Sequence, residues 1–229
     1  MSQPDLVIFD FDGVLVDSEI TAARIEAELL TASGYPISPE DLTELYAGLT
    51  FKDILLKAEE HADVPLKASL IDEAEALVDK ALRREVTAIE GAARAVASVT
   101  GPKCICSNSR GERIAFMLEK TGLDRYFDKD RVFSSLETPT AKPKPAPDVF
   151  LFAATTLGAA PEKTFVVEDS VHGITGAKAA GMRVIGFTGA SHSFPGHADQ
   201  LMEAGAETVI RRWSDFPSVL AALSEWSDD

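Results

Sequence analysis

Two aspartates one residue apart are the first residues of this chain that could do chemistry. Asp10 and Asp12 follow directly after the apolar run Leu6–Phe9, and Gly13 comes next. A short apolar run of this kind indicates a buried strand, and the carboxyl ends of strands in an open α/β sheet line the ligand crevice. A solvated acidic turn would have the same sequence, so the functional interpretation depends on three later segments.

A second pair of acids, Glu168 and Asp169, follows the apolar run 165–167 in the same way. If both strands end at one edge of a sheet, four carboxylates lie close together, which is prohibitively unfavourable without a cation. Oxygen ligands of this kind suit octahedral Mg²⁺. The alternative is that these acids only begin the small-residue helix predicted over residues 173–180, but the recurrence of the pair favours a metal site.

Ser107 and Asn108 follow a third strand-like run, residues 103–106, and precede a helix that we predict over Gly111–Thr121. Backbone N–H groups at a helix start, with a hydroxyl beside them, can bind phosphate oxygens. An ordinary N-cap of the helix is the alternative interpretation.

Two lysines stand in a proline-rich segment before a helix that is predicted to begin near Pro147. Lys142 and Lys144 each begin a K-P-x-P pattern, so the spacing alone does not choose between them. A lysine held beside several carboxylates neutralises them and can bind a phosphoryl oxygen. A solvated proline-rich loop is the alternative.

Strand-like runs alternate with helical patterns along most of the chain. This order predicts a parallel sheet that is covered by helices on both faces. The runs are Leu6–Phe9, Lys103–Cys106, Val132–Phe133, Thr164–Val167, Arg183–Phe187 and Thr208–Ile210.

The stretch from residue 17 to residue 87 contains no convincing strand and predicts helices instead. Ala22, Ile25, Leu29 and Ala32 are spaced three, four and three residues apart, which indicates one apolar helical stripe. Further helices are predicted over residues 39–47, 51–61 and 66–86. Because this stretch is too long for a crossover, we predict a helical domain over residues 17–87 and a core domain over residues 1–16 plus 88–229.

Composition limits the classes of partner. A hydrophobic fraction of 45% is typical of a globular chain, and a net charge of −15 disfavours nucleic acid and anionic membranes as partners. No apolar run reaches the roughly 18 residues that a membrane span needs. Cys104 and Cys106 lie on one side of a strand, so we expect buried free thiols and a cytoplasmic protein. We expect a monomer, with a dimer as the alternative, and a frayed acidic end over residues 227–229.

In their order, the four segments resemble the haloacid dehalogenase superfamily over nearly the whole chain. They read D-x-D-G-V, S-N, K-P-A-P-D-V-F and V-E-D-S-x-x-G. The resemblance implies an α/β fold, with a three-layer Rossmann-like parallel-sheet core and an inserted all-α cap domain.

The resemblance also implies roles for the motif residues. Asp10 would be the nucleophile, and Asp12 the general acid and base, whose backbone carbonyl also binds magnesium. Ser107 and the Asn108 amide would hold the phosphoryl group. Lys144 matches the fuller K-P-x-P-D-x-F pattern, so it would be the family lysine and Lys142 a neighbour. The metal residues would be Asp10, Asp12, Glu168 and Asp169, with Glu168 bound directly or through water.

The implied activity is that of a Mg²⁺-dependent phosphatase acting on a small phosphorylated metabolite, a sugar phosphate or sugar-acid phosphate, through an aspartyl phosphate. Residues 88–92 and 100–104 are similar to bacterial 6-phosphogluconate phosphatases. A β-phosphoglucomutase-like mutase is one alternative, but this chain has Phe51 in place of the arginine of the G-x-S-R cap loop and Ala22 in place of the relay histidine. A non-enzymatic phosphometabolite sensor or scaffold is another alternative.

Two expectations concern residues outside these motifs. Lys52, next to the cap-loop position, is a candidate contact for an anionic leaving group. His61, His192 and His197 are predicted to be solvated, because none has a partner at the spacing of a metal site.

Overall fold

The computed structural model describes residues 3–46, 49–60 and 67–225 of the chain. Its centre is a parallel sheet of six strands in the order β3-β2-β1-β4-β5-β6. The strands are β1 (Leu6–Phe9), β2 (Lys103–Ser107), β3 (Val132–Ser134), β4 (Thr164–Glu168), β5 (Arg183–Phe187) and β6 (Thr208–Ile210). All six predicted strands are confirmed, and β2, β3 and β4 are each one residue longer than predicted.

The described helices also follow the predicted pattern closely. They are α1 (Glu19–Ala32), α2 (Pro39–Tyr46), α3 (Phe51–Glu59), α4 (Ser69–Glu85), α5 (Ala92–Ser98), α6 (Gly111–Thr121), α7 (Asp148–Leu157), α8 (Val171–Ala179), α9 (His197–Glu203) and α10 (Phe216–Glu225). The predictions for Ala47, for His61 and Leu66, and for the acidic end at residues 227–229 lie outside the described residues.

Successive side chains of a strand point to opposite faces of the sheet, and this produces two apolar layers, one on each face. Val7 and Phe9 point into a cluster with α5, α6 and α10, whereas Leu6 and Ile8 point into a cluster with α7, α8 and α9. This arrangement follows from the two-residue period of a strand, and it confirms the three-layer core. Cys104 and Cys106 lie together in the second cluster as buried free thiols, as predicted.

Helices α1–α4 form the all-α insertion between β1 and β2. They have an apolar cluster of their own, whose fully buried members include Leu30 and Ala58. The predicted stripe on α1 is wrong at Ala32, which is exposed. The helix instead buries two sides, because Ile25 packs toward the sheet while Ala23 and Leu30 pack among the other inserted helices.

The two segments that connect the insertion to the sheet lie side by side. The backbone N–H of Asp17 donates to the carbonyl of Thr87 at 3.0 Å, and Val16 forms an isolated antiparallel β-bridge with Ala88. The domain boundaries at residues 17 and 87 stay a prediction. Within the described ranges, we find no helix with the length and hydropathy needed to cross a bilayer.

Candidate active site

The ends of two neighbouring strands bring three acids together. Because β1 pairs with β4, Asp10 lies beside the end of β4, and its backbone N–H donates to the carbonyl of Val167 at 2.9 Å. Asp10, Glu168 and Asp169 are all buried, and each offers an oxygen within 4.8 Å of the others. This is a compact, all-oxygen donor set of the kind that hard divalent cations prefer.

Lys144 reaches into this acidic cluster from the proline-rich segment. Its Nζ donates to Asp10 Oδ1 at 2.5 Å, to Glu168 Oε1 at 2.5 Å and to the carbonyl of Cys106 at 2.8 Å. The side chain of Lys144 is 3% exposed. Lys142, by contrast, is 65% exposed and lies 4.0 Å from Asp148. The structure therefore places Lys144, and not Lys142, among the acids.

Burial and charge act against each other in this cluster. Burial raises the pKa of Asp10 well above its ordinary value, and the attraction of Lys144 only partly offsets that shift. Burial also raises the pKa of Glu168, and Asp169 adds to the shift. Burial alone would lower the pKa of Lys144, but Asp10 and Glu168 raise it, so the lysine stays charged. One lysine does not neutralise three acids, so the cluster suits a further cation.

The Asp12 carboxylate accepts hydrogen bonds from three serine hydroxyls, and it is not a member of the cluster formed by Asp10, Glu168 and Asp169. Its Oδ1 accepts from Ser18 Oγ at 2.7 Å, and its Oδ2 accepts from Ser107 Oγ at 3.0 Å and from Ser109 Oγ at 2.8 Å. Ser18 and Ser109 are not among the site residues predicted from the sequence. Ser109 follows two residues after the end of β2, whereas Ser18 immediately precedes α1. These bonds fix the orientation of the Asp12 carboxylate at the cavity wall.

The turn after Asp12 needs glycine. Gly13 has a φ of +73°, and a Cβ built there would lie 1.9 Å from Asp169 Oδ2. Any larger residue would displace the Asp169 carboxylate, so the turn and the acidic cluster depend on each other.

Ser107 is the last residue of β2 and Asn108 follows it, and both line the cavity. The Ser109 backbone N–H donates to Ser107 Oγ at 2.9 Å. Asn108 Oδ1 accepts from the backbone N–H of Lys144 and from Ser135 Oγ, both at 2.8 Å. Asn108 therefore positions the segment that carries the buried lysine.

His192 and His197 face the site, so the prediction that they are solvated is wrong. His192 Nε2 lies 3.0 Å from Asp169 Oδ2, and His197 Nε2 lies 2.7 Å from the backbone carbonyl of Asp169. The loop that follows β5 folds back over the strand ends, and the Ser191 backbone N–H donates to Asp17 Oδ1 at 3.2 Å. Because β5 lies next to β4, the loop after β5 starts beside the acids at the end of β4, and this was the signal that could have identified the loop as part of the site.

A cavity of about 380 Å³ lies between the strand ends and the inserted helices. From the insertion, apolar and aromatic residues line it, among them Ala22, Tyr46, Phe51 and Ile54. Lys52 is exposed and is not among the lining residues. The reason is that α3 buries the face formed by Ile54, Leu55 and Ala58, which leaves Lys52 in solvent. Lys52 is therefore not retained as a contact for the leaving group.

Residues 7–187 match the family described as haloacid dehalogenase-like hydrolase. That match covers most of the chain and spans every residue of the acidic cluster, and the chain belongs to this family.

Curated relatives match most of the chain. The 6-phosphogluconate phosphatase of Escherichia coli (strain K12) is 30% identical over 196 residues, which cover 85% of this chain and 87% of that protein. A phosphorylated carbohydrates phosphatase of Thermotoga maritima is 29% identical over 211 residues, which cover 90% of this chain and 94% of that protein.

Solved structures match the fold over nearly its whole length. A haloacid dehalogenase-like protein of unknown function from Agrobacterium tumefaciens has 55% identity and a TM-score of 0.91, over 96% of this chain and 99% of that one. A HAD family hydrolase from Deinococcus radiodurans, with bound phosphate and sodium, has 31% identity and a TM-score of 0.79, over 97% of each chain.

Proposed function

We propose that this protein is a Mg²⁺-dependent phosphatase that hydrolyses small sugar phosphates, with the phosphoryl group carried transiently by Asp10. One observation carries the proposal: at the cavity wall, the Asp10 carboxylate lies both in a buried acidic cluster and 2.5 Å from a buried lysine. The chain is a phosphoric monoester hydrolase of the haloacid dehalogenase-like family. Its relatives include phosphatases named for 6-phosphogluconate, phosphorylated carbohydrates and hexitol phosphates, which supports a sugar phosphate as the substrate.

The residues present fit a magnesium ion. Asp10, Glu168 and Asp169 supply carboxylate oxygens, and the backbone carbonyl of Asp12 would complete the protein's part of the site. Glu168 would bind directly or through water. Mg²⁺ supplies positive charge that offsets the negative charge of the acids and of the phosphoryl oxygens.

The proposed chemistry has two displacements, and Asp12 moves a proton in each. A carboxylate oxygen of Asp10 bonds to phosphorus while the bond to the alcohol oxygen breaks, and the Asp12 carboxyl gives that oxygen its proton. Asp12, now ionised, then takes a proton from water. The water oxygen bonds to phosphorus, the bond to Asp10 breaks, and inorganic phosphate leaves.

Three further residues would position the phosphoryl group during both steps. Lys144 keeps its charge in the buried cluster and faces the phosphoryl oxygens as a fixed cation. Ser107 and the Asn108 amide would hold the same oxygens, and both line the cavity beside Asp12. Positioning and electrostatics of this kind supply most of the acceleration in phosphoryl transfer.

The mutase alternative is less well supported. A mutase must hold a sugar bisphosphate by its second phosphate and exclude water, which calls for a cation on the cap side of the cavity. Phe51 and Ala22 line the cavity at the two positions concerned, and neither offers a charge or a proton. A non-catalytic sensor is also disfavoured, because every residue that the chemistry needs is present.

A generic aryl phosphate tests the proposal without knowledge of the natural substrate. We expect the purified protein to hydrolyse p-nitrophenyl phosphate with added Mg²⁺, to lose this activity after exhaustive chelation and to regain it when Mg²⁺ is restored. Full turnover after chelation would contradict the metal assignment. Absence of turnover with Mg²⁺ on both the aryl phosphate and a panel of sugar phosphates would contradict the activity.

A further inference from the structure

Two histidines that follow β5 hold one acid of the cluster from two sides. His192 Nε2 lies 3.0 Å from Asp169 Oδ2, and His197 Nε2 lies 2.7 Å from the backbone carbonyl of the same residue. Because a carboxylate and a carbonyl only accept hydrogen bonds, both imidazoles donate through Nε2. The side chains of His192 and Asp169 are 9% and 7% exposed. The hydrogen bond between them is therefore shielded from water, which strengthens it.

The two rings occupy these places at a cost in free energy. Among the described residues, the Nδ1 atoms of His192 and His197 are buried and have no hydrogen-bond partner. Buried polar atoms are normally paired, because an unpaired one destabilises the folded protein. An apolar side chain in either place would avoid that cost. What the imidazoles contribute in return is the pair of hydrogen bonds to residue 169.

The bond from His192 restricts the direction of the Asp169 carboxylate. A Cβ built at Gly13 would lie 1.9 Å from Asp169 Oδ2 and 2.7 Å from His192 Cε1, so the carboxylate oxygen and the ring both fill the space that the glycine leaves. An aspartate side chain without such contacts can occupy several rotamers. With Oδ2 packed against Gly13 and bonded to the ring, Oδ1 is the oxygen left for a cation.

The loop that carries His192 has an anchor on each side of that residue. The Ser191 backbone N–H donates to Asp17 Oδ1 at 3.2 Å, and Ser191 Oγ donates to Asp17 Oδ2. On the other side, the ring of Phe194 stacks on that of His197, with the centroids 4.7 Å apart. The position of the His192 ring therefore depends on contacts within the protein, and it is set before any cation binds.

We infer that His192 is a positioning residue, which fixes the Asp169 carboxylate through Oδ2 and so strengthens the binding of Mg²⁺ by Oδ1. Hydrogen-bond partners of a metal-binding carboxylate set its orientation, and their loss typically weakens metal binding by about 10- to 100-fold. The inference rests on the magnesium site of the proposed function. It adds a residue from outside the sequence motifs to that site.

Two amide substitutions of His192 differ in whether they can reach Asp169. The side-chain N–H of glutamine lies nearly where His192 Nε2 lies, whereas that of asparagine is too short to reach the carboxylate. We expect the Kd of the substrate-free protein for Mg²⁺ to rise by on the order of tenfold or more in His192→Asn, and by less than about threefold in His192→Gln. Isothermal titration calorimetry measures both values.

Ser193→Ala is the control, because Ser193 is the next residue of the loop and its Oγ has no partner within the described ranges. Its Kd should equal that of the wild type. Thermal melting followed by circular dichroism verifies that the variants are folded. His192→Ala carries the same expectation as His192→Asn, so the comparison with His192→Gln remains available if one of the two does not fold.

Mg²⁺ titrations of p-nitrophenyl phosphate hydrolysis provide a second readout. The turnover that His192→Asn loses at limiting Mg²⁺ should return as Mg²⁺ is raised, because the defect lies in metal binding. Loss of a group that acts on the substrate would persist at saturating Mg²⁺.

Two results would overturn the inference and leave the magnesium site intact. One is an unchanged or lower Kd in His192→Asn, which would mean that the ring does not orient the carboxylate or competes with the metal for it. The other is an equal rise in Kd in His192→Asn and His192→Gln, which would mean that the volume of the ring matters and its donor does not. If the wild-type protein binds no Mg²⁺ in the calorimeter, the magnesium site itself is rejected, and the inference with it.

Discussion

Lys144 is the residue on which the charge balance of the site depends. Its ammonium contacts Asp10 and Glu168 at 2.5 Å each, and both carboxylates are buried. If the lysine were absent, the cluster would hold uncompensated carboxylates, which would take up protons instead of staying ionised. A protonated Asp10 is a poor nucleophile, so Lys144 supports catalysis through Asp10 as well as through the phosphoryl oxygens.

The two lysines of the proline-rich segment provide a matched comparison at the residue scale. We expect Lys144→Ala to lower kcat by on the order of a hundredfold or more, because it removes a buried cation from the reacting group. Lys142→Ala should change kcat by less than about threefold, as expected for an exposed charge. Steady-state hydrolysis of p-nitrophenyl phosphate at saturating Mg²⁺ measures both. Equal effects, or the reverse order, would contradict the placement of Lys144.

The sequence could predict the acids but not every residue around them. Asp10 and Glu168 directly follow or end apolar runs, so the geometry of a parallel sheet brings them together without further information. Lys142 and Lys144 share one local pattern, and their different positions depend on Asn108, which binds the backbone of Lys144 from another strand. His192 lies in a polar loop, and only the folding of that loop over the strand ends brings it to Asp169.

At the scale of elements, the close approach of α8 to β4 holds Glu168 in place. Ser170 caps this helix: its Oγ accepts from the Gly173 backbone N–H at 3.0 Å and donates to Glu168 Oε2 at 3.0 Å. The backbone N–H groups of Asp169 and Ser170 donate to the same carboxylate oxygen. A Cβ at Gly173 would lie 1.9 Å from Glu168 Oε1, so the helix start leaves room for the carboxylate only because residue 173 is glycine.

Gly173→Ala tests this packing without changing a charged residue. The added methyl group must displace the Glu168 carboxylate, so we expect the Mg²⁺ concentration for half-maximal activity to rise by on the order of tenfold or more. Thr175→Ala is the control, because Thr175 is an exposed residue of the same helix. Metal titrations of p-nitrophenyl phosphate hydrolysis compare the two variants with the wild type. An unchanged Mg²⁺ requirement in Gly173→Ala would show that Glu168 needs no fixed position.

Element types were predictable because periodicity is a local property of the sequence. The six strands occur where short apolar runs stand in the sequence, and the inserted helices occur where helical patterns do. The stripe on α1 failed for a physical reason: the helix packs on both the sheet and its own neighbours, so no single apolar face describes it. Burial on two sides depends on tertiary contacts, and the spacing of apolar residues within one helix carries no information about those contacts.

For the whole molecule, the acids of the cavity link stability to pH. The pKa of Glu26 rises from its ordinary value of 4.5 to about 8 in the folded protein, chiefly through burial, with Glu19 adding and Arg113 opposing. Between those pH values the folded protein binds more protons than the unfolded chain. The contribution of Glu26 to stability therefore falls as pH rises from about 4.5 toward 8.

Glu26→Gln removes the carboxyl group, and with it the free-energy cost of ionising Glu26 in the folded protein. At pH 8.5 we expect the variant to be more stable than the wild type by about 1 kcal/mol or more, and at pH 5 we expect most of this advantage to vanish. Urea unfolding at the two pH values measures the difference, with Glu28→Gln as an exposed control. A variant that is equally stabilised at both pH values, or destabilised at pH 8.5, would be inconsistent with a half-buried Glu26 that has no ion-pair partner among the described residues.

The overall architecture was predictable from the alternation of strands and helices, but the cavity was not. Its walls come from the strand ends on one side and from α1–α4 on the other, and the position of one against the other depends on packing between distant parts of the chain. Lys52 illustrates this limit of prediction from the sequence. Its neighbours Thr50 and Phe51 line the cavity, whereas the turn of α3 directs Lys52 into solvent.

In the proposed mechanism Asp10 carries the phosphoryl group, and trapping that group on the protein tests the mechanism most directly. The protein is mixed with Mg²⁺ and a sugar phosphate carrying a radiolabelled phosphoryl group, quenched in acid during turnover, and digested for peptide mapping. We expect label on the peptide that contains Asp10, release of that label by hydroxylamine, and loss of both label and turnover in Asp10→Asn. Label on another residue, or turnover in Asp10→Asn within about tenfold of the wild type, would contradict the account.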